Sequence, residues 1–170
     1  MDFDINYGFD FRDMSNEDII EIFDDFENID SIDDSGDKLL LWACKGFNKQ
    51  LVMYALNRGA DTNYLNECGE TPVQEIVNVS EHKEELALSI LQLLISAGAN
   101  LELRAYMEKT AFLKACSRNS TKVIELLVKN GADVKATVEE HGKLLDGNFY
   151  AGIFGETSEI KRYIKRLVNS

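Results

Sequence analysis

Three cysteines and two histidines are the residues of this 170-residue chain best suited to chemistry, and their spacing decides what they can do. Cys44, Cys68 and Cys116 have no metal-ligand spacing, and an odd number of thiols does not make a disulfide framework. They read as reduced thiols in a cytoplasmic protein. Neither His82 nor His141 stands in a spacing with Ser or Cys that suggests a nucleophile and its base. The segment GIFGE at 152–156 does not match a phosphate-binding loop. Glu84–Glu85 and Glu139–Glu140 read as solvated charges. No catalytic residue, no metal and no cofactor is expected, and the chain is read as not an enzyme.

The elements that hold these residues recur. Arg-Gly-Ala-Asp at 58–61, Ala-Gly-Ala-Asn at 97–100 and Asn-Gly-Ala-Asp at 130–133 place glycines 39 and then 33 residues apart. Each follows an apolar helical stretch (LVMYAL, ILQLLI, VIELLV), and glycine suits the left-handed residue that ends a helix. Twelve residues beyond Gly59 and Gly98 come Thr71 and Thr110, opening TPVQEI and TAFLKA. Thr71 can cap a helix with Pro72 in its first turn, where no amide is missed. Ala43, Cys44, Ala115 and Cys116 are small where paired helices approach, and Cys44 and Cys116 share one repeat position.

With NECGETP as its best segment, this pattern over Asp37–Val134 resembles the ankyrin repeat. The resemblance implies an all-α solenoid of helix-turn-helix repeats joined by hairpin loops, about three full repeats with degenerate caps. The expected organisation is an acidic, aromatic N-terminal arm at 1–14 and one domain at 15–170. That domain divides into a capping half-repeat at 15–36, repeats at 37–66, 67–105 and 106–138, and a C-terminal capping repeat at 139–170. The middle repeat is six residues too long, with the surplus near Val79–Glu84, which should lengthen a helix or loop. Ser15 to Asp18 reads as a helix start, followed by Ile19, Ile22, Phe23 and Phe26 at i, i+3, i+4 and i+7. Ala151, Gly155, Ile160, Tyr163 and Ile164 fit a last repeat, with about three extra residues in EEHGKLLDG.

Ankyrin-like repeats bind proteins through hairpin tips and the exposed side of the inner helices. Carried over by position, the tips are Tyr64, Leu65, Glu67 and Cys68, then Arg104, Tyr106 and Met107. The groove-facing positions are Lys45, Asn78, Ser117 and Arg118, then Ile153 and Phe154. Tyr64 and Tyr106 either anchor a partner or pack on a neighbouring hairpin. Trp42 reads as a packing residue.

Charge is unevenly spread. The formal net charge is −12, yet residues 1–37 hold 14 acids and one base, a net of −13, and the remainder sums to +1. Within MDFDINYGFDFRD, apolar Phe3, Ile5, Tyr7, Phe9 and Phe11 alternate with polar residues or Gly, a period of two that excludes an inner helix. The stretch either lies on the first repeat or projects into a partner, with Asp2, Asp4, Asp10 and Asp13 outward in both cases. Such a charge disfavours nucleic acid and anionic membrane and favours a basic protein partner. No signal peptide and no membrane-spanning run are visible. The expectation is a chain monomeric by itself that binds another protein, as an inhibitor or immunity protein for a basic partner such as a nuclease toxin. The alternative is an adaptor or host-directed effector binding through its groove.

Overall fold

The computed structural model describes residues 14–25, 28–33, 35–78, 83–118, 120–151 and 158–169. Among these, nine α-helices are arranged in two rows. The inner row is α2 (Leu39–Lys45), α4 (Pro72–Val77), α6 (Ala111–Arg118) and α8 (Gly147–Tyr150). The outer row is α1 (Asn16–Asp24), α3 (Lys49–Asn57), α5 (Glu84–Ser96) and α7 (Thr121–Lys129). Each inner helix packs on the next along its row, each outer helix does the same, and α2–α3, α4–α5 and α6–α7 pack as pairs. The last pair is α8 with α9 (Ser158–Val168). This is the expected all-α solenoid, whose stability is a sum over neighbouring interfaces.

Local chemistry sets the helix ends. Ser15 and Asp18 form a reciprocal capping box at α1, Thr71 Oγ1 accepts from the Gln74 amide with Pro72 next to it, and Asp146 caps α8. Gly59, Gly98 and Gly131 have φ of 80°, 90° and 88°, the left-handed region that ends α3, α5 and α7. The residue two positions further on does more than its type suggested. The side chains of Asp61, Asn100 and Asp133 each accept from the amide two residues later, and Asn28 does the same in the N-terminal half-repeat. That second residue then reaches the following repeat. Asp30 accepts from the Asp61 amide, Asn63 from that of Asn100, and Glu102 from that of Asp133, one rung between each pair of neighbours.

The core runs the length of the stack. Ala43, Cys44, Ala115 and Cys116 are fully buried, as their size requires between close inner helices. Ile19 and Phe23 of α1 are buried against α3, and Tyr54 and Arg58 reach back to Asp24 (2.6 and 3.0 Å). Trp42 is half-buried against the core. The long middle repeat adds one turn at the start of its outer helix: α5 has 13 residues where α3 and α7 have nine. That turn carries Glu84 and Glu85, both bound by Lys122 of α7 at 3.0 and 2.6 Å, so Glu84 is a partly buried ion-pair partner rather than a free solvated charge. Residues 79–82 of the surplus lie outside the described residues, as does Phe26.

The extra residues near the C-terminus do not lengthen a loop. They form a two-stranded antiparallel ladder, β1 (Val138–Glu140) with β2 (Lys143–Leu145), pairing Val138 with Leu145 and Glu140 with Lys143. His141 and Gly142 both have positive φ (52° and 73°), the two-residue turn whose twist suits paired strands. Glu140 then accepts from the buried Tyr150 hydroxyl at 2.7 Å, so its charge too is engaged in packing. No helix of the described residues is long and apolar enough to cross a membrane.

Candidate functional site

The inner helices and hairpins present a polar face whose centre lies between α2 and α6. Asp37, 5% exposed, accepts from Lys45 Nζ at 2.6 Å and from Asn66 Nδ2 at 2.8 Å. Lys45 also reaches Glu70 at 2.7 Å, and Asn66 closes the ring by donating to the same carboxylate at 2.8 Å. Burial works against the Lys45 charge, but its bonds to Asp37 and Glu70 outweigh it and raise the ammonium above its ordinary pKa. The Glu70 carboxyl is held low by Lys45. Lys45, expected to face the groove, therefore stands there already committed to two carboxylates.

One repeat further on, a cleft of about 260 Å³ opens between α4 and α6. Cys68, Gly69 and Glu70 line it from one hairpin, Gln74, Glu75 and Asn78 from α4, Lys114 from α6, and Tyr106 from the next hairpin. The hairpins are pinned together at its rim, where the Tyr106 amide donates to Gly69 O at 2.8 Å. An added Cβ at Gly69 would lie 3.3 Å from the Tyr106 backbone, so this approach is tight. The Gln74 side chain is 2% exposed and gives its amide nitrogen to the carbonyls of Lys109 (2.6 Å) and Leu103 (3.4 Å). Its Oε1, itself fully buried, accepts no hydrogen bond among the described residues. Burial raises the Glu75 carboxyl and lowers the Lys114 ammonium, each away from its charged form.

The positions expected to meet a partner fall into three groups. Cys68, Asn78 and Tyr106 line the cleft, and Glu67, Leu65, Met107 and Arg118 are exposed. Tyr106 and Met107 are 60% and 51% exposed on a 3₁₀ turn (Tyr106–Glu108). Others are taken up by the fold. Tyr64 donates to Gly36 O at 2.6 Å and lies under Lys38, so it packs on the preceding hairpin. Arg104 donates to Glu108 O and Thr137 O, joining two hairpins. Ser117 corrects an expectation: it is 5% exposed and donates to Lys114 O, because α6 turns that position into the helix-helix contact rather than the groove. Asp2, Asp4, Asp10, Asp13, Ile153 and Phe154 lie outside the described residues, as does His82. His141 sits exposed in the β1–β2 turn.

Glu70, Gln74, Glu75 and Lys114 were not singled out by sequence. Glu75 and Lys114 occupy one repeat position, a turn before Asn78 and Ser117 on the same helix face. A charged residue in each of the short apolar stretches TPVQEIV and TAFLKAC was the available signal.

The family model for ankyrin repeats (3 copies) matches residues 40–138, more than half of the chain. The chain belongs to the ankyrin-repeat family. An ankyrin repeat protein of Rickettsia bellii (strain RML369-C) is 29% identical over 122 residues. The alignment covers 71% of this chain but 34% of that protein, so the chain spans about a third of its relative's length. Ankyrin repeats mediate binding to other proteins.

Proposed function

We propose that this ankyrin-repeat protein is a non-catalytic inhibitor that neutralises a basic protein partner, such as a nuclease toxin, by stoichiometric binding. The observation that supports this reading is the −13 charge of residues 1–37. Within its described part, Glu17, Asp18, Glu21 and Asp25 are exposed on or next to α1, at one end of the stack. A concentrated charge of this kind speeds encounter with a basic surface by roughly 10- to 10³-fold and resembles a run of phosphates.

The test compares the full-length chain with its Asp2/Asp4/Asp10/Asp13→Asn and Glu17/Glu21/Asp25→Gln/Gln/Asn variants as bait in the native host's lysate. Retention by wild type alone of a basic catalytic domain, inhibited at equimolar ratio, is the expected result. Its association should slow steeply as salt shortens the screening length to about 8 Å. Equal retention of a neutral or acidic partner by all three proteins would refute the inhibitor reading. That outcome would favour the adaptor reading, which the exposed Tyr106 and Met107 support, since aromatic and Met side chains are enriched at interface centres.

A further inference from the structure

We propose that copies of this chain associate head to tail, the C-terminal end of one stack receiving the acidic first helix of the next. Phe149 of α8 and the exposed cations of α9 form the receiving surface, and Glu21 and Asp25 of a second copy meet it. This goes beyond the inhibitor reading, departs from the expectation of a monomeric chain, and uses the end of the stack which that reading leaves idle.

The repeat register identifies the open end. Helices α2, α4, α6 and α8 start after Lys38, Thr71, Thr110 and Asp146, so Leu41, Gln74, Leu113 and Phe149 share one place. The first three are 0%, 2% and 0% exposed. Gln74 shows what covers this place, since its amide nitrogen donates to the Leu103 and Lys109 carbonyls of the following repeat. Phe149 is 48% exposed, because no described repeat follows α8. Leu144, in the adjoining β2, is 72% exposed. Terminal repeats ordinarily turn a polar face outward, so an end that leaves large apolar side chains in water needs a cover.

Charge selects the cover. Acids and bases balance at five each over 139–170, but they are segregated: α9 holds four of the bases and one acid, Glu159. Two of the other acids serve the fold, Glu140 accepting from Tyr150 and Asp146 capping α8. The apolar stripe of α9 packs against the core, which leaves Arg162, Lys165 and Arg166 exposed. At the other end of the stack, Asn16, Ile20 and Asp24 of α1 meet Asn48, Tyr54 and Arg58. At about 100° per residue, Asp18 and Asp25 lie on the opposite side of α1, away from α3, with half-buried Ile22 between them. Glu21 stands exposed beside them. Neighbouring outer helices in this stack are already tied by such pairs, Arg58 to Asp24 and Lys122 to Glu84 and Glu85. Contact of α9 with a second copy's α1 repeats that arrangement between molecules. Head-to-head contact would oppose two −13 segments, and tail-to-tail contact two cationic helices, so only head to tail brings unlike charges together. The −12 of each whole chain repels a second copy at long range, but physiological salt screens this beyond about 8 Å.

A head-to-tail contact does not close on itself, so it builds open runs rather than a dimer. Full-length protein is examined by sedimentation equilibrium at physiological salt from about 10 μM to about 1 mM, the range of weak contacts. The average mass should rise with concentration and pass that of two copies. Two variants then block one end each, Glu21→Gln/Asp25→Asn the head and Phe149→Ser/Lys165→Gln the tail. Glu21, Asp25 and Lys165 make no side-chain hydrogen bond or ion pair among the described residues, so their loss spares the fold. Each variant alone should associate about tenfold more weakly. An equimolar mixture should form a one-to-one pair through the two intact ends and stop there, which a misfolded variant could not do. A wild type that stays monomeric, a mass that saturates at two copies, indifference to both variants, or a mixture that forms no pair would overturn the proposal. A monomeric chain that instead binds phosphatidylserine vesicles through α9 would give this end to a membrane and overturn it as well. Self-association without capture of a basic partner would keep this contact and lose the inhibitor reading. Capture of such a partner by a chain that stays monomeric would do the reverse.

Discussion

Gly147 is the residue where packing dictates identity most directly, and Gly147→Ala tests this. A Cβ at this position would lie 2.9 Å from Phe112 Cε1, 3.1 Å from Cys116 Sγ and 3.3 Å from Phe112 Cζ. Phe112 and Cys116 are fully buried in α6, so neither can swing away into solvent. Either α8 must back off from α6 or the ring must leave its rotamer, at a cost of about 1–3 kcal/mol. Alanine regains up to about 1 kcal/mol of helix preference over glycine, though less at the first position of a single-turn helix. The net expectation is a loss of about 1–2 kcal/mol, read in a thermal melt as a fall in Tm of roughly 2–8 °C. Because the stack is a sum of neighbour interfaces, hydrogen exchange should rise in α8 and α9 and stay unchanged in α2 and α3. Phe112→Leu should cost less in the Gly147→Ala background than in the wild type, since it removes the atoms the new methyl meets. An unchanged or raised Tm, or additive effects of the two substitutions, would refute the packing argument.

Three further outcomes are expected. Glu108 has φ of 55° at the hairpin position that Gly36 and Gly69 fill in earlier repeats, so Glu108→Gly should raise stability by about 0.5–1 kcal/mol in a denaturant melt. A drop would mean the Glu108 side chain matters more than its strain. Ellman's reagent should titrate one thiol, Cys68, in the native protein and all three after unfolding, because Cys44 and Cys116 are buried and burial pushes the Cys116 thiol up to about 12. Two fast native thiols would contradict this packing. Burial and the bond to Asp24 raise the Tyr54 hydroxyl to about 12. A folded pKa above the unfolded value of 10.0 contributes stability that is complete below pH 10 and lost as pH rises towards 12. Tyr54→Phe should therefore flatten the fall of stability across that window, and an unaltered alkaline limb would exclude Tyr54 as its source.

The solenoid was legible because its determinants are local and repeated. Gly-Ala-Asp at two places and Gly-Ala-Asn at a third, Thr71-Pro72 and the small pairs Ala43-Cys44 and Ala115-Cys116 each act within a few residues of themselves. The candidate site was only partly legible for the opposite reason. Tyr64 and Tyr106 both lie on hairpins between repeats, yet one packs under Lys38 and the other stands exposed. Their places in the repeat register differ by three residues, but register alone does not say which of the two meets a neighbouring hairpin. Ser117 and Asn78 do share a repeat position, one buried and the other lining the cleft.

By itself, then, the sequence determined the helix pairs, their order, the repeat register and the concentration of acid in the first 37 residues. Capping, helix termination and apolar periodicity act through the chain's own near neighbours and can be read along it. Tertiary structure alone decided that the surplus in EEHGKLLDG pairs as two strands, and that Lys45 closes a ring with Asp37, Glu70 and Asn66. It also decided that Gln74 keeps an unpaired oxygen beside Glu75 and Lys114. The ring and the cleft join residues from neighbouring repeats, and their energies depend on burial and on polar contacts between distant positions, such as that of Asn66 with Asp37. Such terms take effect only once the repeats are stacked.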